Sequence, residues 1–292
     1  MKKIALFIAL ITLVVIIVVF FQIMPKPYTL ATPFPVVNES YPVYRTVSPN
    51  ITHEEMHRWG KLFGFSEEMK ETTLFGGNVE ITDDSHMPGA NLEFYTNSGT
   101  FCYQIPERVY SYSTETQPEL PSDEEARAIA TMYLRERNLL PADVQFKSVS
   151  IGSQSGHTNE SGNFIFDLTK NVGFIKYFQG YPLYDAGIVV TIGEKGEVVR
   201  VGNSLRALDP EPVRYVKIVT PEQAYQKLRS NDLVIKPACC IDGCEIRNIT
   251  IGYWMEPQSR PQEYVLPVYA FSCDTWTRYV WAIEPSEMES LT

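Results

Sequence analysis

The sequence predicts an α+β protein in which an N-terminal transmembrane helix precedes tandem modules of one helix packed on a curled antiparallel sheet. Three observations predict this fold class: an apolar run at the start of the chain, three helix-start signals of one type, and strand-like segments after each signal. Helices that alternate with groups of antiparallel strands are typical of α+β architecture.

The apolar run spans residues 4–24 and is interrupted only by Thr12 and Gln22. At about 1.5 Å per residue it forms a helix of roughly 30 Å, the thickness of a bilayer core. Lys2 and Lys3 precede it, and positive residues stay on the cytoplasmic side. We therefore predict residues 1–24 as a cytoplasmic tip and single-pass anchor in the cell membrane, with the bulk extracytoplasmic. A cleaved signal peptide is the alternative.

The composition is that of a folded protein, since 44% hydrophobic and 12% aromatic residues supply enough apolar surface for real cores. The net charge is -10 and the pI is about 5.0. Nucleic acids and anionic lipid surfaces favour basic proteins, so we expect no nucleic-acid partner.

Residues 25–50 contain six prolines, which favour an extended spacer between membrane and folded part. Behind it we place three α+β modules at 51–117, 118–210 and 211–292. The boundaries follow proline-rich segments near residues 117 and 210.

Each module begins with a capping-box signal, in which a hydroxyl caps the third helical amide and a Glu or Gln side chain reaches back. The three signals are Thr52-His53-Glu54-Glu55, Ser122-Asp123-Glu124-Glu125 and Thr220-Pro221-Glu222-Gln223. Apolar residues at three-to-four spacing follow each signal and predict one buried helix face.

Alternating or β-branched segments after each helix predict the strands. They are residues 78–82, 91–96 and 100–105 in the first module; 146–151, 163–169, 173–178, 186–192 and 197–201 in the second; and 245–254, 264–272 and 277–283 in the third.

The second module resembles a known domain type. The segment Tyr177-Phe178-Gln179-Gly180-Tyr181-Pro182-Leu183, the strand 187–192, the turn Lys195-Gly196 and the strand 197–201 are similar to PepSY domains and to the propeptides of thermolysin-like proteases. The third module resembles another such unit, through residues 220–228, 264–269 and 280–283.

The N-terminal helix with an extracytoplasmic array also resembles membrane-anchored regulators of sensor kinases of the YycH/YycI type. This resemblance implies binding, inhibition or regulation of another extracytoplasmic protein, often a protease or a sensor. It supplies no catalytic residues and implies no cofactor.

The segment His53-Glu54-Glu55-Met56-His57 matches H-E-x-x-H, which places two imidazoles on one helix face for zinc, with a Glu as base. A catalytic zinc needs a third protein ligand, and neither His86 nor His157 stands at a recognised spacing. We expect His53 and His57 to flank a buried stripe on a solvated face.

Five cysteines are present, and four lie in the last fifth of the chain. Outside the cell such cysteines oxidise, so we predict disulfides among Cys239, Cys240, Cys244 and Cys273. Adjacent cysteines rarely bond each other. One of the adjacent pair is therefore expected to bond to Cys244 or Cys273. A short loop closed with Cys244, with the other cysteine reaching Cys273, is one arrangement, and the sequence leaves the connectivity open. Cys102 is left as a buried thiol.

Other polar motifs have structural explanations. The carboxylate pairs Asp83-Asp84 and Glu124-Glu125 are expected to be solvated or to cap local structure. The aromatic residues of the strands are expected in core positions. The N-x-S/T sequons are compatible with exposed loops and lie at Asn38, Asn50, Asn159 and Asn248.

We therefore predict a membrane-anchored extracytoplasmic binding or regulatory protein without enzymatic activity, whose partner is another extracytoplasmic protein. A zinc-dependent membrane protease that uses His53, Glu54 and His57 is one alternative. A structural component of the cell envelope is another.

Overall fold

The computed structural model describes residues 28–109, 117–158, 162–232, 234–235 and 243–289. The predicted anchor at residues 1–24 lies outside these ranges. None of the helices within them is long and apolar enough to cross a bilayer.

The helices begin where the capping signals predict. Thr52, Ser122 and Thr220 are the N-caps of the three longer helices, and each forms a complete capping box with Glu55, Glu125 or Gln223. The helices are α1 His53–Leu62, α2 Pro106–Val109, α3 Asp123–Glu136, α4 Pro221–Ser230 and α5 Pro285–Glu289.

The strands confirm the predicted mixture of helix and antiparallel sheet. They are β1 Thr29–Leu30, β2 Ser40–Arg45, β3 Lys70–Thr73, β4 Val79–Thr82, β5 Asn91–Tyr95, β6 Thr100–Gln104, β7 Val144–Thr158, β8 Gly162–Phe178, β9 Tyr181–Ile192, β10 Val198–Asn203, β11 Arg214–Lys217, β12 Val234–Ile235, β13 Glu245–Ile246, β14 Asn248–Trp254, β15 Tyr264–Ser272 and β16 Thr277–Trp281.

One branched sheet of 14 described strands connects all three predicted modules. Its main path is β11-β2-β15-β14-β9-β10-β6-β5-β4-β3, and β1 pairs separately with β13. The antiparallel pair β6–β10 joins the first and second modules, and the parallel pair β9–β14 joins the second and third. The modules are therefore continuous through backbone hydrogen bonds.

Strand β9 changes partners along its length. Its beginning pairs with β14 at Leu183 and Tyr184, and its later part pairs with β10 from Ile188 onward. Two glycines permit the close approach of backbones there. A Cβ on Gly187 would lie 2.0 Å from the carbonyl oxygen of Phe174, and one on Gly252 would lie 2.5 Å from that of Pro182.

Strand β8 is continuous where the sequence predicts two strands, at 163–169 and 173–178. Its residues 170–175 pair with both β7 and β9, whereas residues 162–169 pair with β7 alone among the described strands. The hairpin therefore continues past the end of β9 as a two-stranded ribbon. The predicted break at residues 170–172 is absent because these residues continue the ladder to β7.

Part of the stretch predicted as a spacer is folded into the sheet. Strand β2 pairs with β11 and β15, and its Tyr41 and Val43 are buried. Burial of apolar side chains on one face of β2 stabilises the strand more than its proline content disfavours it. Pro42 is tolerated within the strand. The extended-spacer prediction is wrong for these residues.

The first two modules share one hydrophobic core. It includes Met56 of α1, Leu92 of β5, Leu134 of α3 and Val190 of β9. A second core lies under α4 and contains Leu228, Tyr269 and Phe271. The expected packing of each helix on a sheet of its own is thus seen for α4. Helices α1 and α3 instead pack into one shared hydrophobic core.

Candidate functional site

The His53–His57 segment forms the first part of α1, and both imidazoles face one carboxylate on β3. Nδ1 of His53 lies 2.5 Å from Oε2 of Glu71, and Nε2 of His57 lies 2.9 Å from Oε1. The buried residues of the helix are Met56 and Gly60, each three positions after one of the histidines and therefore beside it on the helix surface. The two histidines flank the buried stripe, as expected, and both contact Glu71.

This cluster does not present the arrangement of a zinc protease. Glu54, the base in that hypothesis, is exposed, and the His53 side chain is 84% exposed rather than lining a cleft. Within the described ranges, no group of three or more His, Cys, Asp or Glu residues is arranged to hold a metal ion.

Cys244 and Cys273 form a disulfide, which confirms oxidation in the third module. The bond joins the open ends of the β14–β15 hairpin, because Cys244 precedes β13 and Cys273 follows β15 directly. The short loop predicted between Cys244 and Cys239 or Cys240 is corrected by this pairing, since Cys244 is already bonded. Cys239 and Cys240 lie outside the described residues. Cys102 is a buried free thiol, as predicted.

Asp83 is a structural carboxylate and not a solvated one. It is 2% exposed and accepts hydrogen bonds from the amides of Ser66 and His86 and from the hydroxyl of Ser85. The Ser66 amide contributes most to holding the pKa of Asp83 far below its usual range. The capping role predicted for Glu125 is confirmed by its contacts with Ser122.

The sequons and aromatic residues occupy ordinary positions. Asn38, Asn50 and Asn248 are exposed, and Asn159 lies outside the described ranges. Tyr103 is buried and stacks on Phe63 with ring centroids 4.7 Å apart.

The surface best suited to binding is the outer edge of β7, which we call the β7 edge (residues 144–158). This strand of 15 residues pairs only with β8 among the described strands. Its outer backbone groups therefore have no strand partner within the described structure. A long edge of this kind is a template for another extended chain.

Exposed apolar side chains accompany this edge. Ile151 of β7 is 51% exposed and Ile165 of β8 is 72% exposed. Helix α3 contacts the beginning of β7, where the guanidinium of Arg127 lies 4.3 Å from the ring of Phe146. The sequence analysis did not single out these residues. The available signal for Ile151 is the alternation of Val149 and Ile151 with serines in the segment 148–151.

Comparison with known proteins gives only distant structural likeness. No family model and no curated protein matches the chain. A crystal structure of an uncharacterized protein from Eubacterium rectale ATCC 33656 aligns with 87% of this chain and 86% of its own, at 10% identity and a TM-score of 0.42. The Bacillus megaterium YpeB C-terminal domain aligns with 82% and 94%, at 12% identity and a TM-score of 0.36. Neither likeness assigns a family or an activity.

Proposed function

We propose that this chain is a membrane-anchored extracytoplasmic protein without enzymatic activity, which binds and regulates another extracytoplasmic protein. The observation that supports this proposal is the β7 edge, 15 residues long and accompanied by the exposed Ile151 and Ile165. The partner contributes an extended segment that adds to the sheet as a further strand.

The chemistry of this interaction is main-chain hydrogen bonding. An added strand pairs its amides and carbonyls with the open backbone groups of β7, and alternate side chains contact the exposed apolar residues. Such binding requires an accessible, extended segment in the partner. A loop or terminus of a protease or of a sensor ectodomain meets that requirement.

The class of partner follows from the sequence resemblance. The second and third modules resemble PepSY domains, and the layout resembles YycH/YycI-type regulators of sensor kinases. We infer that the partner is a protease or a sensor at the same membrane face. The apolar run at 4–24 supports tethering there.

Site-specific photocrosslinking in intact membranes tests this function. A photoreactive phenylalanine analogue is placed at Ile151 and, as a matched control, at Val213, which is 46% exposed and lies far from the hairpin in the sheet order. We expect a discrete protein adduct from position 151 and none from 213. The Ile165→Lys substitution should remove the adduct, because a buried lysine opposes apolar docking.

Two results contradict the proposal. Equal adducts from both positions, or none from 151, would show that the β7 edge binds no specific protein. One equivalent of zinc that is lost on His57→Ala would instead favour the protease alternative.

A further inference from the structure

A polar cavity of about 610 Å³ lies beside the junction of the first and second modules. Its walls are residues 45–49 after β2, the turn at 97–98, the loop 261–263 and Arg206. The cavity is remote from β7, so it concerns a site other than the β7 edge.

Arg206 is the unusual group in this cavity, because its side chain is only 3% exposed. Nη2 donates to the carbonyl oxygens of Glu256, Pro257 and Arg260 at 3.1, 2.8 and 2.7 Å. Nε is buried without a hydrogen-bond partner, and Nη1 makes no hydrogen bond within the described residues. Only one of its three nitrogens is therefore engaged.

The positive charge of Arg206 also lacks a counter-ion in contact. Glu256 is the nearest acidic influence, but its carboxylate accepts from Nε1 of Trp254 at 3.1 Å and lies 3.6 Å from Nη1 of Arg260. No described carboxylate is within ion-pair distance of Arg206. Burial lowers the pKa of Arg206, and the charge of Glu256 opposes this shift only in part.

The charged side chains that line the cavity have a net charge of one positive unit. The ionic residues that line it are Arg45, Arg206 and Glu263. Arg45 pairs with Glu263, with Nη2 3.4 Å from Oε1, so these two offset each other. A buried charge is normally paired, so the charge of Arg206 is the one that no residue of the cavity wall offsets.

A smaller cavity of about 230 Å³, which contains an aromatic wall, adjoins the first one. The two share Ser48 and Ser98. The smaller one has a mixed lining, with the rings of Trp59, Phe94 and Phe101 on one part of its wall and Glu55 on another. Glu55 is offset by Arg58, whose Nη2 lies 4.0 Å from its Oε1. A ligand that places an anionic group beside Arg206 can therefore place an apolar side chain among these rings.

We propose that the cavity binds a carboxylate group of a peptide, with Arg206 as its counter-ion and an adjacent apolar side chain in the smaller cavity. A guanidinium and a carboxylate match in charge and in planar geometry. A phosphate dianion would exceed the single uncompensated charge. The carboxylate belongs either to a peptide C-terminus or to an Asp or Glu side chain.

The test uses the full-length chain and ligand-observed NMR titration. The probes are N-acetylphenylalanine, its amide, and N-acetylglutamyl-phenylalanine amide, which separate a terminal from a side-chain carboxylate. We expect at least one carboxylate probe to bind about tenfold more tightly than the neutral amide, the order expected for a charge-assisted hydrogen bond.

Two substitutions locate the binding. Ser48→Glu adds a negative charge at an exposed cavity residue and should weaken the carboxylate probe about tenfold. The matched control Ser286→Glu, on the exposed face of α5, should leave it unchanged. Arg206→Gln should abolish the preference for a carboxylate. If the Arg206→Gln variant fails to fold, the comparison of Ser48→Glu with Ser286→Glu tests the proposal instead.

Equal affinity for acid and amide probes, or no binding by any of them, would overturn the proposal. So would equal effects of Ser48→Glu and Ser286→Glu. These outcomes are independent of crosslinking from Ile151, so failure at either site leaves the other interpretable.

Discussion

At the scale of single residues, Asp83 shows how a buried charge is stabilised by local donors. Its carboxylate accepts from the amide of His86 within the turn between β4 and β5, and from the amide of Ser66 in the segment between α1 and β3. Because these contacts favour the ionised form, the pKa of Asp83 is lower in the folded chain than in the unfolded chain. Its contribution to stability is thus present above the unfolded pKa and is lost as pH falls.

We predict that Asp83→Asn destabilises the protein at neutral pH, and that this effect shrinks below about pH 4, where the unfolded carboxyl group takes up its proton. Urea unfolding of both proteins between pH 3 and pH 7 measures the difference. A difference that stays constant across this range would show that the charge is unimportant.

Gly187 is a second residue on which the fold depends. A methyl group there would meet the Phe174 carbonyl oxygen at 2.0 Å, whereas a methyl on Gly202 meets nothing within 4 Å. We expect Gly187→Ala to lower the free energy of unfolding by at least about 2 kcal/mol, through overpacking against the backbone. Gly202→Ala is the control and should change it by less than about 1 kcal/mol. Similar losses in both variants would contradict this account of β9.

At the scale of elements, each helix start depends on residues that are close together in sequence, so each can be altered without the others. The Ser122 hydroxyl accepts from the Glu125 amide, and Glu125 returns a contact to the Ser122 amide. Ser122→Ala should cost about 1 kcal/mol of stability, as is typical of a lost N-cap. The exposed Ser259→Ala serves as control. Chemical denaturation measures both, and no loss in Ser122→Ala would show that α3 is held by packing alone.

The disulfide holds together the open ends of the β14–β15 hairpin. Cys244 and Cys273 are 29 residues apart, and their bond restricts the unfolded chain by about 3–4 kcal/mol in the loop-entropy model. Reduction should therefore lower the melting temperature, and Cys244→Ala combined with Cys273→Ala should reproduce the reduced value. A reductant effect that persists in this double variant would point to another bond. Peptide mapping of the oxidised chain checks the pairing.

At the scale of the whole molecule, the branched sheet makes the modules mechanically continuous. Strand β2 precedes the first module in sequence, yet it lies between β11 and β15 of the last one. Val43 at its centre is fully buried with Val216 and Ile283. The sheet therefore predicts one cooperative unfolding transition and not three.

We expect Val43→Ala to destabilise the chain by about 2 kcal/mol through a core cavity. Its matched control, Val36→Ala, alters a fully exposed residue of the same stretch and should have no effect. Circular dichroism and tryptophan fluorescence should report coincident transitions in both variants. A separate early transition in one probe would mean that the modules unfold independently.

The sequence alone determined the features that depend on neighbours along the chain. Capping boxes involve residues three positions apart, so Thr52, Ser122 and Thr220 predicted the helix starts without knowledge of the rest. Alternating apolar residues likewise located most strands, and the mixed α+β class followed from their order.

Only the tertiary structure decided which distant strands and side chains meet. The pairing of β2 with β11 and β15, the common core of α1 and α3, and the bond between Cys244 and Cys273 all join residues far apart in sequence. The same holds for Glu71 beside His53 and for Arg206 beside the cavity. Such contacts depend on the register and burial of the entire sheet, which local hydrogen-bonding preferences do not specify.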